Sequence, residues 1–106
     1  MQRITREAIR RMASSETVYY RGMRYYAAHA VSDVTWNENN GQYRSVVHGG
    51  NQYVVTIQVS EDGEWLYTCN CPSHVKQKGA CKHVVATLLF IADYQQRENV
   101  KEHLDT

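Results

Sequence analysis

The residues of this chain that could do chemistry lie in one short stretch, CNCPSHVKQKGACKH, which runs from Cys69 to His83. It holds all three cysteines of the 106-residue sequence and two of its five histidines. The pattern is Cys-x-Cys, nine intervening residues, and then Cys-x-His. Thiolate sulfur and imidazole nitrogen are ligands that zinc prefers, and structural zinc sites use four of them in a tetrahedron. The stretch therefore predicts a structural zinc site formed by Cys69, Cys71, Cys81 and His83.

The spacing of the four ligands also predicts the backbone around them. Residues i and i+2 point to the same side of an extended chain, so Cys69 and Cys71 can reach one ion from the end of a strand. On a regular helix the same spacing separates two side chains by about 200°. We therefore expect Cys81 just before a helix and His83 in its first turn. The metal would join a strand end to a helix start and leave no coordination position open for a substrate.

Other interpretations of these residues stay open at the level of sequence. A Cys69–Cys71 disulfide would close a small, strained ring and needs an oxidising compartment. Buried thiols can also simply fill a core. A catalytic Cys–His pair would need an orienting group and a substrate cleft, and the sequence points to neither. His74 is a further possible donor, although we expect it to be an exposed loop residue.

Composition and charge narrow the class of protein. Hydrophobic residues make up 42%, charged residues 22%, and the formal net charge is +1, which is typical of one globular domain over residues 1–106. No apolar run is long enough to span a membrane, and the basic amino terminus has no apolar signal core, so we expect a cytoplasmic protein. No carboxylate pair, nucleophile elbow or Gly-rich phosphate loop appears. We therefore expect neither an enzyme nor a small-molecule substrate.

The remaining sequence predicts the elements that position the ligands. The segments ITREAIRRMASS and SETVYYRGMRYYAAHAV predict two helices over residues 3–30, capped by Thr5 and Ser15. Four short runs with a period of two, separated by NENNG, GGN and EDGE, predict an antiparallel meander over residues 31–68. The segment KHVVATLLFIADYQQ predicts a third helix. The fold class is therefore α+β.

The zinc-bound strand–loop–helix is expected over residues 66–94, and residues 95–106 continue the third helix or form a polar tail. The core is predicted from three apolar faces, with Trp36 and Trp65 expected in the core rather than at an interface. The faces are Tyr19, Gly22, Met23, Tyr26, Ala27 and Ala30 of the second helix, Tyr53, Val55, Ile57 and Val59 of the third strand, and Val85, Leu88, Leu89 and Ala92 of the third helix. Gly22 and Ala27 are small enough to let a neighbouring element pack closely.

The finger motif resembles the SWIM zinc finger. Cys-x-Cys, a short spacer and Cys-x-His followed by VVATLLF match the pattern of that family. The upstream segment IRRMASSETVYYRGMRYYAAHAVSDV is similar to the one that precedes this finger in bacterial proteins. The resemblance covers about residues 3–94, and by position it implies zinc ligands at Cys69, Cys71, Cys81 and His83. His74 is not part of the family's pattern.

The resemblance also implies a function. SWIM fingers occur beside helicase-like ATPases of the Swi/Snf type and in Mutator-type transposases, and the family is thought to bind DNA or to mediate protein contacts. This sequence has no phosphate-binding GxxxxGK[ST] motif and no helicase motif. The resemblance therefore implies either a stand-alone SWIM protein or the amino-terminal piece of a longer ATPase, and the sequence does not decide between them.

Nucleic-acid binding is the first functional hypothesis, because basic residues cluster in two segments. Arginine and lysine neutralise phosphates and release counterions. Tyr20 and Tyr25 could stack on bases if exposed. With an isoelectric point near 7.8, we expect weak, salt-sensitive binding to DNA with little sequence preference. The candidate contacts are Lys76, Lys78 and Lys82 on the metal loop and Arg6, Arg10, Arg11, Arg21 and Arg24 on the leading helices.

Protein docking is the alternative hypothesis. Residues 31–68 carry one arginine against five acids, so the meander would suit a basic partner or a neighbouring ATPase domain. The two hypotheses can hold together, and the sequence does not fix the main partner or the oligomeric state. The acidic residues are Asp33, Glu38, Glu61, Asp62 and Glu64.

Overall fold

The described part of the chain contains three helices and one four-stranded antiparallel sheet, which confirms the predicted α+β fold class. It is a computed structural model that describes residues 3–72 and 78–104, with side chains for 3–72 and 78–97. None of its described helices is both long and apolar enough to cross a membrane. In chain order the elements are α1 (Arg6–Met12), α2 (Glu16–Ala27), β1 (Val31–Asn37), β2 (Gln42–His48), β3 (Gln52–Val59), β4 (Trp65–Cys69) and α3 (Lys82–Leu104).

The two amino-terminal helices begin at the predicted capping residues. Oγ1 of Thr5 accepts a hydrogen bond from the backbone N–H of Ala8 at 3.1 Å. Oγ of Ser15 accepts one from the backbone N–H of Val18 at 3.2 Å. Each cap satisfies a backbone donor that has no partner within the first turn of a helix, so each fixes where its helix starts.

Helices α2 and α3 approach each other closely at Gly22. A Cβ at this position would lie 2.3 Å from Cγ1 of Val85 and 3.0 Å from the carbonyl oxygen of Lys82. A glycine is therefore required for α2 to pack on the first turns of α3. Ala27, which was predicted to be a second small packing residue, is exposed because it lies at the very end of α2.

The sheet is a simple meander in the order β1-β2-β3-β4, so β1 and β4 are its edges. The β1–β2 and β3–β4 turns lie together at one end, where the backbone N–H of Val59 donates to the carbonyl of Gly41 at 3.0 Å. The β2–β3 turn and Cys69, the last residue of β4, lie at the opposite end. The pairing of β1 with β2 is irregular between Ser32 and Thr35.

Helix α3 covers one face of the sheet, and the core lies between them. Val55 and Ile57 of β3 are fully buried, while Tyr53 and Val59 of the same predicted face are partly buried. The predicted apolar stripe of α3 is confirmed, but burial extends around the whole helix near its start because α2 packs on another side. The fully buried residues of this part of α3 are Val84, Val85, Ala86, Thr87, Leu88 and Leu89.

Two tryptophans and the segment after residue 94 are the remaining sequence predictions about the fold. Trp36 and Trp65 are half-buried and pack against the core, as expected. Residues 95–104 continue α3 as a regular helix, which is the first of the two alternatives for this segment. Helical backbone therefore extends well beyond the part of α3 that faces the sheet.

Candidate metal centre

The three cysteines and His83 converge where β4 ends and α3 begins. Cys69 is the last residue of β4, Cys81 directly precedes α3, and His83 is the second residue of that helix. One ligand atom from each of the four residues lies within 4.8 Å of all the others. Sγ of Cys69 and Nδ1 of His83 are 3.7 Å apart. Two such ligands on one tetrahedral zinc ion would be about 3.5 Å apart, so the spacing fits a single ion.

The chemistry of the donor set also fits zinc. All three cysteines are free thiols, so the Cys69–Cys71 disulfide is not formed. The four residues are buried, and Cys81 is wholly inaccessible. Nδ1 of His83 faces the sulfurs, whereas Nε2 is buried without a hydrogen-bond partner among the described residues. Three sulfurs and one imidazole nitrogen shielded from water are a typical structural zinc site.

The thiols influence each other's protonation strongly. Hydrogen bonds from Cys69, from His83 and from the backbone N–H of Val84 hold the pKa of Cys81 well below its usual range. The hydrogen bond to Cys81, together with burial, raises the pKa of Cys69. The hydrogen bond between the two sulfurs therefore favours one shared proton in the metal-free pair of Cys69 and Cys81. Zinc binding requires thiolates, so it must displace such protons, and zinc affinity falls as the pH falls.

Two tyrosines fix the ring of His83. Tyr53, the second residue of β3, stacks on the imidazole with ring centroids 4.2 Å apart and an interplanar angle of 20°. Tyr25 of α2 meets the same ring edge-on at 5.3 Å and 75°. These contacts exclude water from one side of the site and limit rotation of the ring. The sequence predicts Tyr53 only as a core residue and Tyr25 only as a ring that could stack on bases.

A buried pair of hydroxyls supports the same helical turn. Oγ1 of Thr87 donates to the carbonyl oxygen of His83 at 3.1 Å. Oγ of Ser45, on β2, lies 2.8 Å from Oγ1 of Thr87 and is the donor, because the Thr87 proton is already used. Both hydroxyls are fully buried. The chain of hydrogen bonds connects the middle of the sheet to the first turn of α3, a connection that the sequence did not predict.

The end of the metal loop is attached to the junction between α1 and α2. The backbone N–H of Ala80 donates to the carbonyl of Met12 at 2.8 Å, and the N–H of Ser14 donates to the carbonyl of Ala80 at 3.1 Å. Gly79 has a φ of 91°, and a Cβ there would lie 2.9 Å from the carbonyl oxygen of Met12. The loop thus joins the amino-terminal helices to the finger just before Cys81.

The predicted basic residues fall into three groups. Arg6 pairs with Asp93 at 3.3 Å, and Arg10 pairs with Glu16, so carboxylates of the same chain already neutralise both. Within the described residues, the other predicted contact residues form no ion pair, and Nζ of Lys82 lies 6.0 Å from the ring centroid of Tyr25. Lys76 and His74 lie outside the described residues. The unpaired cations are Arg11, Arg21, Arg24, Lys78 and Lys82, and all but the half-buried Lys82 are exposed.

The fold and the ligand cluster define a zinc finger in which the end of a strand and the start of a helix share one ion. Comparison with protein-family models gives the particular class: residues 53–92 match the SWIM zinc finger. The matched segment contains β3 from Tyr53 onwards, β4, all four clustered residues and α3 as far as Ala92. Neither the curated proteins nor the solved structures that were compared gave a significant match. The chain therefore carries a SWIM zinc finger, which is a zinc-binding module, and its cofactor is Zn²⁺.

Proposed function

We propose that Cys69, Cys71, Cys81 and His83 hold one structural zinc ion, and that the module binds DNA through the cations around it. We call these cations the finger surface: Arg11, Arg21, Arg24, Lys78 and Lys82. Lys76 belongs to the same basic segment of the sequence. The zinc ion has no role in chemistry here, because four protein ligands fill its coordination sphere.

The contact between Lys82 and Tyr25 is the observation that carries this proposal. Lys82 comes from the finger and Tyr25 from α2, so the contact joins the two basic segments of the chain. Arg21 precedes Tyr25 by one helical turn and therefore lies on the same side of α2. A backbone bridge attaches Ala80 to the α1–α2 junction. Arg11 and Lys78 each lie two residues from this bridge, so they are near each other as well. Cations that are separate in sequence thus form one surface.

The physical character of this surface favours weak binding without sequence preference. Unpaired arginine and lysine side chains attract phosphates and release counterions when they bind. Three thiolates, one neutral imidazole and one Zn²⁺ leave a net charge of −1, which Lys78 and Lys82 offset. Tyr20, half of which is exposed, precedes Arg24 by one helical turn and offers a ring for stacking on an unpaired base.

A salt titration tests the proposal. We expect a labelled mixed-sequence duplex to bind the zinc-loaded protein at about 50 mM salt and to be released at a few hundred millimolar. The double variant Arg21→Ala/Lys82→Ala should lower the slope of log affinity against log salt by about two, because each lost phosphate contact removes about one counterion. Fluorescence anisotropy measures both quantities.

The matched control is Arg44→Ala, which removes one exposed arginine from β2, on the face of the sheet that points away from α3. It should leave the slope unchanged. A loss of about one from the slope in Arg44→Ala, half of the loss in the double variant, would mean that net charge alone, and not the finger surface, drives binding. No binding at about 50 mM salt would leave only protein docking.

Protein–protein docking without direct DNA contact is the second candidate, and the distribution of acids favours it. Glu38, Glu61, Asp62 and Glu64 are exposed in the two turns that lie together at the end of the sheet away from Cys69. This acidic end would suit a basic partner. By resemblance that partner is a helicase-like ATPase of the Swi/Snf type, and a pull-down with the purified ATPase that is abolished by replacing these four acids with glutamine or asparagine would support it.

A further inference from the structure

An apolar groove lies between the edge strand β1 and the helix α3. Its cavity of about 280 Å³ is lined largely by aromatic rings, among them Trp36, Tyr43, Phe90 and Tyr94. Tyr43 forms the floor, because it is buried and its hydroxyl is hydrogen-bonded to Gln95. Tyr94 is half exposed and forms the rim. A preformed groove of this kind can bury one apolar side chain of a partner.

Beside this groove, some backbone N–H and C=O groups of β1 point towards the open edge of the sheet. Successive residues of a strand direct their backbone N–H and C=O groups to opposite sides within the sheet. The hydrogen bonds in the turns that flank β2 indicate that its even-numbered residues direct theirs towards β1. Thr35 and Asn37, which pair with Arg44 and Gln42, therefore bond to β2. The N–H and C=O of Trp36, between them, point away from the sheet. An extended segment placed there would pair with Trp36 and lie directly over the groove.

Charge indicates what kind of segment fits. β1 contains no basic residue, and the acids Asp33 and Glu38 are exposed within it and directly after it. Neither forms an ion pair with a described residue. We propose that β1 and this groove bind an extended peptide of a partner protein by strand addition, with an apolar side chain in the groove and a lysine or arginine beside Asp33 or Glu38. The groove shares no residue with the cysteine cluster, so this inference goes beyond the proposed function and can fail separately from it.

Selection from a peptide library tests the inference. The probe is a phage-displayed library of random peptides of about ten residues, long enough to pair with the seven residues of β1, selected on the zinc-loaded full chain. We expect enrichment of peptides that carry an apolar residue flanked by lysine or arginine. A synthetic copy of an enriched peptide should bind, and Tyr94→Ala should weaken its binding by about tenfold or more.

Tyr20→Ala is the matched control, because Tyr20 is 51% exposed and Tyr94 is 50% exposed. It should leave peptide affinity unchanged, and both variants should keep the wild-type melting temperature. Methylation of the peptide nitrogen that pairs with the Trp36 carbonyl should abolish binding, whereas a merely hydrophobic contact would survive it. No enrichment, an equal effect of the two alanine variants, or full binding of the methylated peptide would overturn the inference. So would a homodimer that Tyr94→Ala converts to monomer, because the occupant would then be a second copy of the chain.

Discussion

His83 depends on more distant parts of the chain than the three cysteines do. Its nitrogen Nδ1 faces the sulfurs, while the rest of the ring is enclosed by Tyr25 from α2 and Tyr53 from β3. Its carbonyl is held by Thr87, which in turn is held by Ser45 on β2. Residues that orient a metal ligand in this way tune metal affinity, although they do not touch the ion. The geometry of the site is therefore a product of the whole fold.

Replacement of a ligand should affect zinc far more than replacement of a neighbouring donor. Cys81→Ser removes a wholly buried sulfur from the cluster, and we expect it to weaken zinc binding by about a hundredfold or more. His74→Ala is the matched control from the same stretch of sequence, and it should leave zinc affinity close to that of the wild type. Competition with a chromogenic chelator measures both affinities. Equal losses in the two variants would show that the ligand set is wrong.

The four clustered residues could be predicted from sequence because their information is local. Two cysteines at a spacing of two and a Cys-x-His pair restrict the geometry within a few residues of each ligand. The residues that support His83 could not be predicted. Ser45, Tyr53 and Thr87 look like ordinary strand and helix residues, and only tertiary packing brings them to the site. The same holds for Arg6, whose partner Asp93 is distant in sequence.

At the scale of elements, the contact between α2 and α3 determines how the amino-terminal helices meet the finger. The contact places Gly22 against Val85, one helical turn beyond Cys81. It also places Tyr25 against His83 and beneath Lys82. A change in the separation of the two helices would therefore disturb both the zinc ligand and the finger surface.

Gly22→Ala should destabilise the protein, although alanine normally favours a helix interior by up to about 1 kcal/mol. The new Cβ would lie 2.6 Å from Cβ of Val85, and neither that atom nor the Lys82 carbonyl oxygen is the end of a flexible side chain. We expect the free energy of unfolding to fall by about 1–3 kcal/mol, the usual cost of overpacking. Urea unfolding with saturating zinc measures this change.

Thr17→Ala is the control in the same helix, because Thr17 is exposed on the first turn of α2. It should change the free energy of unfolding by no more than about 0.5 kcal/mol. If Gly22→Ala were as stable as this control, the close approach of α2 and α3 at Gly22 would not exist in solution.

The elements themselves were predictable to the extent that their signals are periodic. The capping residues Thr5 and Ser15 and the alternation of the strands marked the helices and the meander correctly. The irregularity of β1 was not predictable, because Asp33 adopts a φ of 54° within a segment that otherwise alternates as a regular strand. Attachment of Ala80 to the α1–α2 junction was also missed, since a single backbone bridge leaves no pattern in sequence.

At the scale of the whole molecule, four exposed acids in two turns and the cysteine cluster lie at opposite ends of the sheet. The turns that carry Glu38, Glu61, Asp62 and Glu64 are at one end, and the end of β4 and the start of α3 are at the other. A polyanion would therefore approach the finger end and be repelled from the opposite end. This arrangement would let the two proposed kinds of partner bind one molecule without competing.

Zinc release is the most direct test of the central claim that one zinc ion joins β4 to α3. Native mass spectrometry before and after chelation should show the loss of about one zinc per chain. Amide hydrogen exchange should then show loss of protection over residues 66–90. The amino-terminal helices and β1–β3 should keep more of theirs, because a chain of this length buries a core that does not depend on metal alone.

The near-UV spectrum provides the decisive comparison, because Tyr53 and Tyr25 pack on His83 and should change environment when the ion leaves. We expect a clear change in that spectrum on complete removal of zinc, reversed when one equivalent of zinc is added back. An unchanged spectrum and unchanged exchange over residues 66–90 in the metal-free protein would contradict this expectation.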